Sequence, residues 1–380
     1  MRIFRVHAMI LIAIMALTLS ACNRRRSSRE SNPSAPTRSF HMGFTNWPYA
    51  ATTAAVDDTW SKIHAHGDMI TIHLDQGVPW PEAYAGTAYP ASVEAELKNY
   101  TDHIAPDKTV FLSVACLDNF RQNLAGYWSD AGGNQPRPDV WAARSFADAE
   151  VATAYVNWMS DLVARFKPAY VNYAVEVSEL AWQDPAEFTG YPVFAQRVYT
   201  ALKAMHPSLP LFCSVALKSP GSLEMATVAA AYGSIRDWND VMGVSVYAYA
   251  FFSHPFSGNP ASLPADWLSQ AEAMAPGKPI AIAETGWIAE TLDIPLFGIH
   301  VDATPAHQEA FVALLLAEAD AKNALFVSWF CIVDFDTLWT DSLGSSPVAQ
   351  VWKDTGLYDG SVTARPSLTT WESWRALARR

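Results

Sequence analysis

Signatures of the common cofactor and nucleophile chemistries are missing from this 380-residue chain. No HExxH pair offers a helix-borne zinc site, no GxSxG elbow presents a nucleophilic serine, and no Walker loop cradles phosphate. The histidines are scattered without ligand spacing, so neither a metal nor a cofactor is expected. Cysteine is scarce: beyond Cys22 there are Cys116, Cys213 and Cys331, each inside an apolar run and none in a CxxC pair. Isolated thiols of this kind read as core filling, which excludes a disulfide framework or a redox centre. No self-similarity at a solenoid or propeller period is present. A glycine-rich turn after the first strand is also absent, and with it a dinucleotide-binding fold.

Positive charge is sparse overall and densest in the N-terminal part, where no lysine but seven arginines fall within the first 39 residues. The chain carries −12 overall; without Arg2 and Arg5 of the leader, and the five Arg and one Glu of residues 23–39, the remainder carries −18. So acidic a body speaks against nucleic acid and polyanionic ligands, and leaves neutral glycans as natural partners. Arg2 and Arg5 precede an apolar run, Ala8 to Leu19, of signal-peptide length and too short for a membrane span. That run ends in Leu19-Ser20-Ala21-Cys22, which resembles the lipobox of bacterial lipoproteins. The resemblance implies cleavage before Cys22, acylation of its thiol and attachment to a membrane of the cell envelope. Asn23 after the cysteine favours the outer membrane. Residues 22–39, rich in Ser, Arg and Pro, then read as a lipidated tether, and 40–380 as one domain.

From Phe40 onward, short β-rich runs alternate with helical patterns, as in a parallel sheet with crossover helices. Eight strands are expected: His41–Trp47, Met69–Asp75, Thr109–Cys116, Ala169–Val177, Leu211–Leu217, Val241–Tyr249, Pro279–Glu284 and Leu325–Ile332. Helices are expected over Ala147–Arg165, Phe194–Met205 and Pro305–Ala321. Segments entering the strands are short, whereas those leaving them are long and patternless. Long loops after strand C-termini are what the active face of a single-domain α/β (β/α)₈ TIM barrel requires.

Two acids close apolar strands, Glu176 after Tyr170–Val175 and Glu284 after Ile280–Ala283. An ionised carboxylate there is costly unless it is paired or faces a cleft. Strand alternation predicts Ala174 with Glu176 on one face, and Ile282 with Glu284 on one face. The chain resembles the clan of (β/α)₈ glycoside hydrolases with the acid/base at strand four and the nucleophile at strand seven. Ala283-Glu284-Thr285-Gly286-Trp287 resembles the nucleophile segment. Gly243-Val244-Ser245-Val246-Tyr247 resembles the sixth-strand segment, whose tyrosine binds the nucleophile, and Ser328-Trp329-Phe330 the eighth, whose tryptophan floors the sugar site. The tail Thr355–Gly360 with Arg365-Pro366-Ser367 resembles the usual ending of these barrels. Arabinogalactan endo-β-1,4-galactanases are most similar, followed by β-1,3-glucanases sharing Glu-Thr-Gly-Trp.

The resemblance implies a retaining O-glycosidase with Glu284 as nucleophile, Glu176 as acid/base and Tyr247 orienting Glu284. Glu179 is the rival acid, less favoured because Glu176 keeps the strand parity. Charge repulsion should raise one carboxyl, and the role requires that it be Glu176. One departure is plain: Val175 stands where the family has an asparagine that binds the sugar 2-hydroxyl, which also admits a catalytically impaired, glycan-binding lipoprotein. Trp287 and Trp329, then Trp47 and Trp80, are candidate sugar platforms; His73, Asp75 and Asp334 are candidate hydroxyl partners.

Overall fold

The computed structural model describes residues 36–252 and 258–380. The leader, Cys22 and most of the expected tether lie outside the described residues. Eight parallel strands close into a barrel: β1 (His41–Thr45), β2 (Met69–Leu74), β3 (Thr109–Val114), β4 (Tyr170–Ala174), β5 (Leu211–Ala216), β6 (Met242–Val246), β7 (Ile280–Thr285) and β8 (Phe326–Trp329). Each strand pairs with its sequence neighbours, and β8 returns to β1. The helices α1 (Thr53–His66), α2 (Ala91–His103), α3 (Ala149–Phe166), α4 (Tyr191–Met205), α5 (Leu223–Ile235), α6 (Gln270–Met274), α7 (Pro305–Ala321) and α8 (Pro366–Arg375) follow the strands in turn. The fold is a (β/α)₈ TIM barrel. Among the described residues no helix is long and apolar enough to cross a membrane.

Helix starts follow from local chemistry. Thr52, Ser222 and Thr304 precede α1, α5 and α7, and each hydroxyl accepts an N–H of the first turn. Proline opens α7, where its missing donor costs nothing. Every expected strand is present but one to three residues shorter at its C-terminal end, except β7, which runs one further. The chain leaves the sheet early there because its carbonyls turn to the mouth loops. Several of these loops carry structure of their own, such as the hairpin of Tyr127–Ser129 with Gly132–Gln135 and the helix Val177–Gln183.

The barrel interior is layered. At the bottom Met69, Phe111, Phe212, Val241, Ala281, Ala283 and Phe326 form an apolar plug. Phe111 meets Phe326 at 4.5 Å and stacks on Phe212 at 5.9 Å. Gly43 and Gly243 make room for this layer; a Cβ on Gly243 would sit 2.3 Å from the Phe212 ring. Above the plug lies a polar layer. Thr71 bonds Ser328 at 2.7 Å, and the Asn172 amide donates to Ser113 at 3.2 Å and Ser214 at 3.0 Å. Side chains one step higher reach the mouth. Cys116, Cys213 and Cys331 are buried thiols of the core.

Among the described residues the compact body includes Thr37–Arg38, which were expected to lie in the tether. Thr37–Arg38 pairs with Ala378–Arg379, and Arg38 is buried against Asp68. The polar composition of residues 23–39 concealed this clasp, because the buried group is a cation with a distant partner. Burial alone would raise the Asp68 carboxyl. Bonds from His41, Arg38 and the Met42 N–H reverse that and hold it well below the usual carboxylate range. Asp68→Ala is therefore expected to cost about 3 kcal/mol, because Arg38 is left buried and unpaired. A depressed carboxyl stabilises fully above its unfolded value, about pH 4, and progressively less as the pH falls toward the folded value. Urea melts of wild type and variant should thus converge on acidification; a gap constant down to about pH 2.5 would contradict the assignment.

Candidate active site

The C-terminal mouth brings Glu176, Glu284 and Tyr247 together, but by a route that alternation does not describe. β6 and β7 pair in register through Ile282 and Val244, after which Glu284 falls opposite Ser245. One extra residue has entered β7, and such a bulge turns the following side chain to the other face. Ile282 belongs to the layer between sheet and helices, whereas Ala281 and Ala283 line the interior. Ile282 and Glu284 therefore do not share a face: without the bulge Glu284 would point toward the helices. Gly286 completes the turn, since a Cβ there would lie 2.6 Å from the Phe330 carbonyl oxygen and 3.2 Å from the Tyr247 ring.

Glu176 also leaves strand geometry. β4 ends at Ala174, and Glu176 takes the left-handed conformation, φ 52°, at the entry to the helix Val177–Gln183. Its N–H donates to Ser214 at 3.0 Å, tying it to the polar layer beneath. Glu179 lies on that helix and is ion-paired with Lys218 at 2.8 Å. Burial raises its carboxyl against the pull of Lys218. The carboxylate whose charge acts on Glu284 is that of Glu176.

Tyr247 is almost fully buried and donates its hydroxyl to Glu284 Oε1 at 2.7 Å. Burial, reinforced by Glu284, lifts the phenol well above its ordinary value, so it remains a donor. The Glu284 carboxyl is raised, first by burial and then by the charge of Glu176; His73, Tyr247 and Arg121 pull the other way. This differs from the expectation that the raised carboxyl would be Glu176. Glu284 is buried beside a second carboxylate, while Glu176 has a guanidinium beside it, Arg121 at 3.4 Å.

The aromatic candidates divide sharply. Trp47 is half-buried at the mouth, 5.6 Å from the Phe330 ring and 6.0 Å from Phe335. Trp287 and Trp329 are fully buried instead. Trp287 stacks on Phe311 of α7 at 4.4 Å, and Trp329 donates to the Thr355 carbonyl at 2.9 Å and packs near Phe311 and Trp371. Because Phe326 and Ser328 face inward, Trp329 must face the helices and Phe330 the mouth. The half-buried Phe330, with Trp352 packed against Tyr247 at 5.8 Å, supplies the aromatic wall. Trp80 is core as well, stacked on Trp141 with its N–H on the Ala125 carbonyl.

His73 and Asp75 stand half-buried at the end of β2, where the His73 charge acts on Glu284 and that of Asp75 on Arg121. Asp334 is not a sugar contact. It is buried, 2.6 Å from Arg365, and accepts the Gly356 N–H at 2.7 Å. The tail motif is thus a latch that fastens β8 to the C-terminal helix. Glu290, Asp334 and Asp354 lie close together, but Arg365 and Lys353 neutralise them.

Sequence reasoning missed Phe330, Trp352 and Arg121. Strand parity counted from Phe326 finds the first. A pair of apolar residues, Leu117 and Leu124, around the turn-forming Asp118 and Asn123 could have marked a hairpin with Arg121 at its tip.

No family model matches the chain, and no curated protein is similar to it. Solved structures are. A GH5_18 protein of Streptomyces cattleya, solved in complex with GlcNAc, aligns with TM-score 0.60 at 15% identity, over 91% of this chain and 83% of that one. The exo-β-1,4-mannosidase Op5Man5 of Opitutaceae bacterium strain TAV5 aligns with TM-score 0.62 at 14% identity, over 90% of this chain and 60% of that one. The Ignisphaera aggregans GH53 catalytic domain aligns with TM-score 0.55 at 18% identity, over 92% of this chain and 98% of that one. These likenesses establish the barrel architecture along almost the whole described chain.

Proposed function

We propose that the chain is a retaining O-glycoside hydrolase acting on a neutral β-linked polysaccharide or oligosaccharide, galactan-like or β-glucan-like. The observation that carries this reading is the carboxyl pair: Glu176 and Glu284 converge on one mouth, with the Tyr247 hydroxyl on Glu284. Of the structural neighbours, one is an exo-β-1,4-mannosidase and another was solved with GlcNAc, which supports a glycan as the substrate.

In the first step a Glu284 oxygen attacks the anomeric carbon while the bond to the leaving oxygen breaks and Glu176 gives that oxygen its proton. Water then attacks the glycosyl ester, Glu176 takes the water's proton, and the Glu284 carboxylate leaves. The first step needs one proton on the pair, held by Glu176. Once it rests on Glu176, the repulsion that raises Glu284 is gone, and Tyr247, His73 and Arg121 all favour the Glu284 anion. Activity should therefore fall as the pH drops through a value above the ordinary glutamate range. Tyr247→Phe should move that acidic limb to higher pH and lower kcat about 10²-fold; an unmoved limb would remove Tyr247 from this role.

Screening the full chain on galactan, laminarin, mannan and xylan tests the reading, with reducing ends released from at least one and an unchanged initial anomer. A second reading, a glycan-binding protein without turnover, rests on Val175, and binding without release would favour it. We place the protein in the cell envelope, held by acyl chains on Cys22. Cys22→Ser should shift it from the membrane to the soluble fraction or leave it unprocessed; equal membrane retention would sink the anchor.

A further inference from the structure

Arg121 reaches the mouth from the tip of a tight hairpin that follows β3. Leu117 and Leu124 bridge at its base, Asp118 and Asn123 close it, and Arg121 takes the left-handed conformation, φ 58°. A non-glycine residue held there costs of order 1 kcal/mol, and such strain concentrates at functional sites. The guanidinium is buried but poorly used. One nitrogen donates to the Asp118 carbonyl at 3.1 Å, another stands 3.4 Å from Glu176, and Nε has no partner among the described residues. A charge-assisted bond is normally about 2.7–2.9 Å. Arg165 shows what a structural pair looks like in the same protein: a two-pronged clasp on Glu94 at 2.7 and 2.9 Å. Arg121 instead lies within electrostatic reach of Glu176, Glu284 and Asp75 at once.

A sugar with its anomeric carbon between the two carboxyls places its 2-substituent beside them, and bonds to a 2-hydroxyl strengthen in the transition state. The residue before Glu176 cannot supply one, because Val175 is apolar and buried. Resting on the glycosidase reading above, we propose that Arg121 is a substrate-binding residue whose guanidinium donates to the 2-hydroxyl of the reacting sugar. The mouth then selects glycosides bearing an oxygen at that carbon.

The test uses the full chain with 4-nitrophenyl β-glucoside and β-galactoside beside their 2-deoxy counterparts. Wild type should prefer the parent sugar by about 10²-fold in kcat/KM. Arg121→Met should reduce that preference to about fivefold or less by slowing the parent far more than the deoxy sugar. Arg121→Lys, which keeps the charge, should fall between. Near-ultraviolet circular dichroism checks that each variant is folded. Equal losses on both sugars, with the preference intact, would overturn the assignment and leave Arg121 a support for Glu176. If wild type hydrolyses none of the four, the same pairs as methyl glycosides are compared by calorimetry, and the glycosidase reading itself fails only if the polysaccharides screened above are not hydrolysed either. A 2-hydroxyl contribution to affinity that disappears in Arg121→Met then upholds the contact; one that persists, or none at all, refutes it.

Discussion

Glu284→Ala is expected to leave no measurable hydrolysis on any substrate that the full chain turns over, a loss of about 10⁵-fold or more. Among the described residues, neither the tyrosine on Glu284 nor the rival acid can take its place. Tyr247 stays protonated, and Glu179 is tied to Lys218. Glu176→Ala is expected to behave differently, because its proton matters only when the leaving group needs one. Natural glycans should lose about 10³-fold, whereas a nitrophenyl glycoside should form the glycosyl ester nearly as fast as with wild type. Deglycosylation then limits, and azide should accelerate it to give a glycosyl azide of retained configuration. Azide rescue with inverted product in Glu176→Ala and with retained product in Glu284→Ala would mean that the two roles are exchanged. Loss of neither activity in either variant would dismiss the pair altogether.

Trp329→Ala is expected to act on stability instead. The side chain is fully buried between β8 and the helices, with its indole N–H spent on Thr355. Truncation removes packing against Phe311 and Trp371, leaves a cavity and removes one of the two donors to the Thr355 carbonyl, at a cost of about 3–5 kcal/mol. Phe330→Ala, one residue on, should cost less stability and more KM, since Phe330 is half-buried on the mouth side. Denaturation and kinetics on the two variants separate wall from floor. A Trp329→Ala protein as stable as wild type but unable to bind glycan would reverse the pairing.

The barrel was legible because burial on both faces writes long apolar runs, as in Ile280–Ala283, and because mouth loops are long only after strands. α7 starts with a proline after Thr304 and was readable to the residue. Side-chain direction at strand ends was less so. Alternation counts residues, and a bulge in β7 inserts one, so Glu284 reaches the mouth for a reason its spacing hides. Tryptophan misled for a related reason: large aromatic area suits a sugar face and a helix-to-sheet interface equally, and Trp80, Trp287 and Trp329 serve the interface. Asp334 resembled a loop acid until Arg365, far along the chain, appeared beside it. For Arg121, Leu117 and Leu124 mark the hairpin locally, but its approach to Glu176 is a long-range contact that no local pattern records.

The chemistry proposed for Glu284 can be trapped. A 2-deoxy-2-fluoro β-glycoside with a dinitrophenyl leaving group slows both steps, and its good leaving group lets the glycosyl ester form and persist. Incubated with the full chain and followed by intact mass and peptide mapping, it should add one fluorosugar, on the peptide carrying Glu284. An adduct on Glu176 or Glu179, or no adduct from any sugar while natural glycan is still hydrolysed, would contradict a retaining mechanism with Glu284 as nucleophile.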